Sequence, residues 1–230
     1  MPEQLPLYIP LLFICTTLLT IGLFSRAAGY NRTAWMLLLS WSVLQGIIGY
    51  SQFYRVTDAM PPRFLLLVGP PLLLILVLFL SAAGKRFTGR LDARWLTYLH
   101  VVRIPVEIVL LALYLHGQVP QLITFEGRNF DVLSGLSAPL VAYYGYQRPV
   151  LGKTFLVIWN VVCLLLLLNV VVTAVLSAPF RFQQFAFDQP NRAILCFPFL
   201  LLPGCIVPLV LYAHLATLRQ LWRPGVATNA

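Results

Sequence analysis

The chain has 230 residues, 60% of them hydrophobic and 10% charged, and a mean hydropathy of +0.84. An ordinary soluble domain is about 45–50% apolar and about 25% charged. No single core of this size hides so much apolar surface, so lipid must take the excess, which excludes a soluble enzyme, a disordered chain and a nucleic-acid-binding module. The net charge of +9 then reads as Lys and Arg held in short loops on one side of a bilayer.

A spanning helix needs about 20 mostly apolar residues. The stretches 5–25, 34–54, 63–83, 96–117, 131–147, 152–177 and 193–218 qualify. They predict an all-α, polytopic integral membrane protein, a single domain of seven transmembrane helices over residues 1–230. The first stretch has no basic n-region and is too long for a signal h-region, so it reads as an uncleaved span. The second carries Ser42-xxx-Gly46, a small-residue pair that lets a neighbour approach closely, and Gln45 at mid-depth. The third is almost wholly apolar. The polar stretch 84–95 that follows reads as a basic loop; its Lys85-Arg86-Phe87-Thr88-Gly89-Arg90 is a topogenic signal that could also hold anionic lipid headgroups.

The fourth stretch places Arg103 and Glu107 near the bilayer middle, four residues apart on one helix face. At about 100° per residue, His100, Arg103, Glu107 and Tyr114 fall within a sector of about 60°. A charge at that depth costs about 2.5–3.5 kcal/mol on insertion scales, so this face should turn inward and pair, Arg103 with Glu107. Pro105 lies between the two charges and frees a backbone carbonyl one turn earlier. His116 ends the span on the opposite face. The outer loop that follows gathers Glu126, Arg128, Asn129 and Asp131 beside Gly127. Asp131 stands where a helix N-cap belongs, and the loop could roof a pocket that opens outward.

The fifth stretch is short and has Pro139 in its middle, so it is a bent span or a re-entrant piece. The sixth offers Asn160 and Asn169, below and above its centre, as interhelical or ligand hydrogen-bonders. The seventh carries Pro198, Pro203 and Pro208 and should kink; it lacks lysine, which excludes a retinal Schiff base there. Cys15, Cys163, Cys196 and Cys205 fall in apolar runs with no CxxC or metal spacing, and read as small buried side chains without a disulfide.

Orientation follows from the basic residues. With the N-terminus outside, Arg26, Arg32, Lys85, Arg86, Arg90, Arg94, Arg148, Lys153, Arg219 and Arg223 are inside, and Arg55, Arg63, Arg128, Arg181 and Arg192 outside, ten against five. Glu3, Asp58, Glu126, Asp131 and Asp188 then lie outside, and Trp35, Trp41, Trp95, Trp159 and Trp222 gather toward the inner side. The topology is N-out and C-in, which needs an odd number of crossings and therefore a crossing fifth stretch.

These residues predict an intramembrane polar pocket in a plasma or inner membrane, built on Arg103 and Glu107 with His100, Tyr114, Gln45, Asn160 and Asn169. It would bind or transport a small molecule, a lipid or a proton. Arg103 would face an anionic group, and Glu107 would be its counter-ion and proton carrier. An alternative is a non-catalytic accessory subunit of a larger membrane complex, with the ion pair serving packing and a membrane protein as partner. A third is an enzyme acting on lipid at the outer face through His116, Glu126 and Asp131, which could also bind a divalent cation. The membrane lipid is a partner in each case, and nucleic acid in none. No metal site is expected, since HxxxH and HExxH are absent from the sequence. No cofactor is expected either, axial haem ligation by His100 and His214 being the nearest approach to one.

Overall fold

The structure is a computed structural model that describes residues 5–222; Glu3 and Arg223 of the charge count lie outside them. Among the described residues the chain is helical and has no strand. Helix α1 covers Tyr8–Ala27, α2 Arg32–Tyr50, α3 Leu65–Leu80 and α4 Ala82–Arg90. A 3-10 turn, His100–Val102, joins α5 (Ala93–Leu99) to α6 (Arg103–Leu115) in the turn before Pro105. Helix α7 (Val132–Ala142) runs on into a π-turn, Tyr143–Gln147. Helix α8 is Lys153–Leu176, and a second π-turn, Leu202–Ile206, leads into α9, Val207–Trp222.

Five of these stretches, Tyr8–Ala27, Arg32–Tyr50, Ala93–Leu115, Lys153–Leu176 and Leu202–Trp222, are long and apolar enough to cross a membrane. The bent pair α3–α4 makes a sixth if it counts as one span. Inside α1 the hydroxyls of Thr16, Thr17 and Thr20 donate to carbonyls four residues back, at 2.8, 3.0 and 2.8 Å. Polar groups are thereby satisfied within an apolar helix.

The centre of the bundle is the α5–α6 stretch with α9. Helix α1 packs on α5 and α6, α7 on α5 and α6, and α8 on α9. Helices α2, α3 and α8 leave broad apolar stripes bare, with Leu37, Leu73 and Leu165 among the exposed residues. Such stripes are costly against water and not against lipid.

The loops segregate into two clusters. At one end Phe64 meets Phe180 at 5.5 Å between ring centroids, Arg192 N donates to Gln118 O at 3.1 Å, and Gln189 Nε2 donates to Val119 O at 2.6 Å. At the other end Asp92 N donates to Ala27 O at 2.9 Å, Gln147 Nε2 to the Tyr98 hydroxyl at 3.1 Å, and Gln220 Nε2 to Leu91 O at 2.9 Å.

Several boundaries differ from expectation. Stretch 84–95 is not a loop: α4 occupies most of it, bent 92° from α3. Ser81 makes the corner by accepting from Gly84 N at 3.1 Å. A Cβ on Gly84 would sit 2.4 Å from the Leu78 backbone, so only glycine fits the corner. Residues 193–201, expected to open the seventh span, form a 3-10 turn (Ala193–Leu195) and further turns before Leu202. Pro198 therefore precedes the helix and Pro203 lies in the π-turn; Pro208 stands in the helix that continues from it, and the carbonyl four residues back, Gly204 O, accepts instead from Trp41 Nε1 at 2.8 Å. Cys15 is exposed rather than buried, while Cys163 and Cys205 are buried.

Candidate functional site

Arg103, the first residue of α6, is 4% exposed and carries the interior's polar network. Its Nη1 donates to Asp131 Oδ1, in the interior ion pair found among the described residues, and to the Cys163 carbonyl at 3.3 Å. Its Nη2 meets His214 Nε2 at 2.8 Å, and His214 Nδ1 meets Asn160 Oδ1 at 2.9 Å. A guanidinium only donates, so His214 accepts at Nε2 and carries its proton on Nδ1, which donates to Asn160. The Asn160 amide passes the direction on by donating to Leu156 O at 2.8 Å. Four helices are thus joined through one cation.

The expected Arg103–Glu107 pair does not form. Both residues lie on one face of α6, but α7 brings Asp131 closer to the guanidinium than Glu107 stands. Small residues make that approach possible: a Cβ on Gly135 would lie 3.0 Å from Ile104 Cγ1 and 3.3 Å from Arg103 Cβ. Asp131 also does not cap α7 with its side chain as expected, because its carboxylate is spent on Arg103.

Glu107, 7% exposed, instead faces the loop between α6 and α7. Its Oε1 accepts from Phe125 N, and its Oε2 accepts from Asn129 Nδ2 at 2.6 Å. Asn129 also donates to Ile123 O at 3.0 Å and accepts from Asp131 N at 3.0 Å, which binds the loop to the start of α7. No ion pair among the described residues involves Glu107. A cavity of about 70 Å³ opens beside it, lined on its polar side by Arg103, Glu107, Asn129, Asp131 and Asn191 and elsewhere by aliphatic residues such as Leu167 and Val210. A cavity that accepts benzene measures about 150 Å³, so this one has room for water or a very small solute and not for a headgroup.

His100 is fully buried and stacks on His214, with ring centroids 3.8 Å apart and planes within 15°. Neither of its nitrogens has a protein partner among the described residues. Rings stacked face to face, with both His214 nitrogens engaged, do not converge on one iron atom, so the residues do not fit axial haem ligation.

The remaining expected members lie elsewhere. Gln45 is buried but accepts from the Tyr54 hydroxyl at 2.5 Å and does not line the cavity. Asn169 is exposed and donates to Arg128 O at 3.0 Å, tying α8 to the loop. Tyr114 is half-buried against the apolar core. His116 and Glu126 are exposed, and Asp131 is buried on Arg103, so the supposed outer acid–base group is dispersed. Among the described residues no three His, Cys, Asp or Glu side chains gather closely enough to hold a metal ion. Two members went unrecognised as such: Asp131 as the partner of Arg103, and His214 as its second acceptor. The signal for Asp131 was the small-residue face Ser134, Gly135 and Ala138 that follows it one and two turns on.

The family model for a domain of unknown function, DUF8737, matches residues 61–222, which include every residue lining the cavity. No curated protein and no solved structure matches the chain.

Proposed function

We propose, for a chain that belongs to the DUF8737 family, that it is a seven-span membrane protein, N-out and C-in, whose interior pocket takes up a proton or a very small solute at Glu107. The observation that carries this is the uneven charge beside the cavity: Arg103 is answered by Asp131, and Glu107 is left without a cation. A carboxylate kept out of water and unpaired is expensive. Hydrogen bonds from Phe125 N and Asn129 offset part of that cost, and a proton or a small cationic solute in the cavity would offset the rest. The network Arg103–His214–Asn160 holds the fixed positive charge in place. Glu107 is thus the exchanging group, and Asp131 takes the counter-ion role first expected of Glu107.

The crossing number draws support from the loops. The segments before α7 and after α8 are hydrogen-bonded to each other, as Arg192 N to Gln118 O. Helices α7 and α8 therefore leave one end of the bundle and return to it, as a crossing fifth span requires.

Infrared difference spectroscopy of the purified protein tests the site. Acidification should bring up a protonated-carboxyl C=O band in the wild type that Glu107→Gln removes, the variant's helical circular dichroism showing that it is folded. A wild type without such a band, or a band unchanged in Glu107→Gln, overturns the proposal.

A further inference from the structure

A second cavity of about 670 Å³ lies between α2, α3 and α9 and shares no lining residue with the one beside Glu107. Its volume falls within the about 300–1,000 Å³ usual for ligand sites. The walls are aliphatic and aromatic, and Leu37, Leu44 and Leu74 along it remain 52, 48 and 41% exposed, so it is a groove open on its side. From Thr33 to Leu44 it follows α2 for roughly 16 Å, at ~1.5 Å per residue. That is about half of a ~30 Å hydrocarbon core, the depth of one leaflet.

Apart from Ser40, whose hydroxyl donates to Met36 O within α2, the polar residues gather at one end of the groove. There Asn31 and Thr33 at the start of α2 and Phe87 of α4 form the rim. Arg32 lies between the first two and Arg86 beside the third; both are exposed, and neither is in an ion pair among the described residues. The carboxylate at this end, Asp92, is already answered by Arg94 at 3.8 Å. The bend of 92° between α3 and α4 turns α4 across the end of the bundle, and Phe87 of α4 reaches the rim.

We infer that this groove binds one anionic phospholipid, with an acyl chain along α2 and the phosphate between Arg32 and Arg86. Basic groups at a membrane surface select negative headgroups, and a slot one leaflet deep suits a chain of that leaflet. A partner's transmembrane helix would find a seat for only half its length. The site is independent of Glu107, and its test is separate from that of the pocket.

The test is native mass spectrometry of delipidated protein titrated with phosphatidylglycerol or phosphatidylcholine of identical chains. The wild type should bind the first phosphatidylglycerol at least about tenfold more tightly, at about fivefold for each arginine. The double variant R32Q/R86Q should bind the two lipids equally. Filling the slot with Leu38→Trp and Leu74→Trp should weaken both lipids, while Leu165→Trp on the bare face of α8 should weaken neither. Equal binding by the wild type, a preference that survives R32Q/R86Q, or a filled slot that keeps both lipids overturns the inference. If the filled variant does not fold, the surface arginine variant decides alone.

Discussion

Arg103 shows how one buried cation organises several helices. It bonds Asp131, the Cys163 carbonyl and His214, so removing either member of the ion pair strands the other charge out of water. Arg103→Ala or Asp131→Ala should each cost about 3–5 kcal/mol. The double variant should cost less than the sum, because the stranded charge is then gone. Chemical denaturation of the four proteins in detergent measures this cycle, and strict additivity would show that the pair contributes nothing as a pair. The sequence displays such residues clearly, since Arg103, Glu107, His100 and Asn160 stand out against an apolar background. It does not display their partners. Spacing along one helix favours Glu107 for Arg103, but a long guanidinium reaches across to α7, and distances between helices are not written in the spacing of either. Gln45 and Asn169 failed for a related reason: mid-span position gives depth, whereas the direction a side chain faces depends on which helix packs where.

Among the elements, α4 is the one composition concealed. Its glycines and basic residues resemble a loop, yet Ser81 caps it and Gly84 closes the corner with α3. In an open helix, Gly→Ala gains about 0.5–1 kcal/mol. Gly22→Ala in α1, where a Cβ meets nothing within 4 Å, should follow that rule. Gly84→Ala should instead cost about 1–3 kcal/mol, since its Cβ meets main chain that cannot step aside. Unfolding curves of the two variants should move in opposite directions, and a stabilised Gly84→Ala would mean that the corner is loose. The long apolar helices were legible because about 20 apolar residues leave little alternative. The segment 193–201 was not, since it is equally apolar and ends up folded as turns against the bundle.

At the scale of the whole molecule, the two loop clusters alternate along the chain, and that order can be tested by labelling. In a cysteine-free background, Gly89→Cys and Val150→Cys should react with a membrane-impermeant maleimide only from the inner side. Phe187→Cys should react only from the outer side. Val150 labelled from the outer side and Phe187 from the inner side would remove the fifth crossing and reverse the C-terminus. The loop contacts say which loops share an end of the bundle, and the excess of Lys and Arg is the separate argument for which end faces inward.

The grip of Glu107 on Phe125 and Asn129 has a consequence for how the cavity is roofed. Both bonds draw strength from the negative charge, so whatever discharges the carboxyl also slackens the clasp that keeps residues 123–131 folded over it. By reciprocity, any contact that steadies or loosens that segment from outside changes how avidly the carboxyl holds its proton. Occupancy within and order without are then two readouts of a single balance, and neither can be tuned alone.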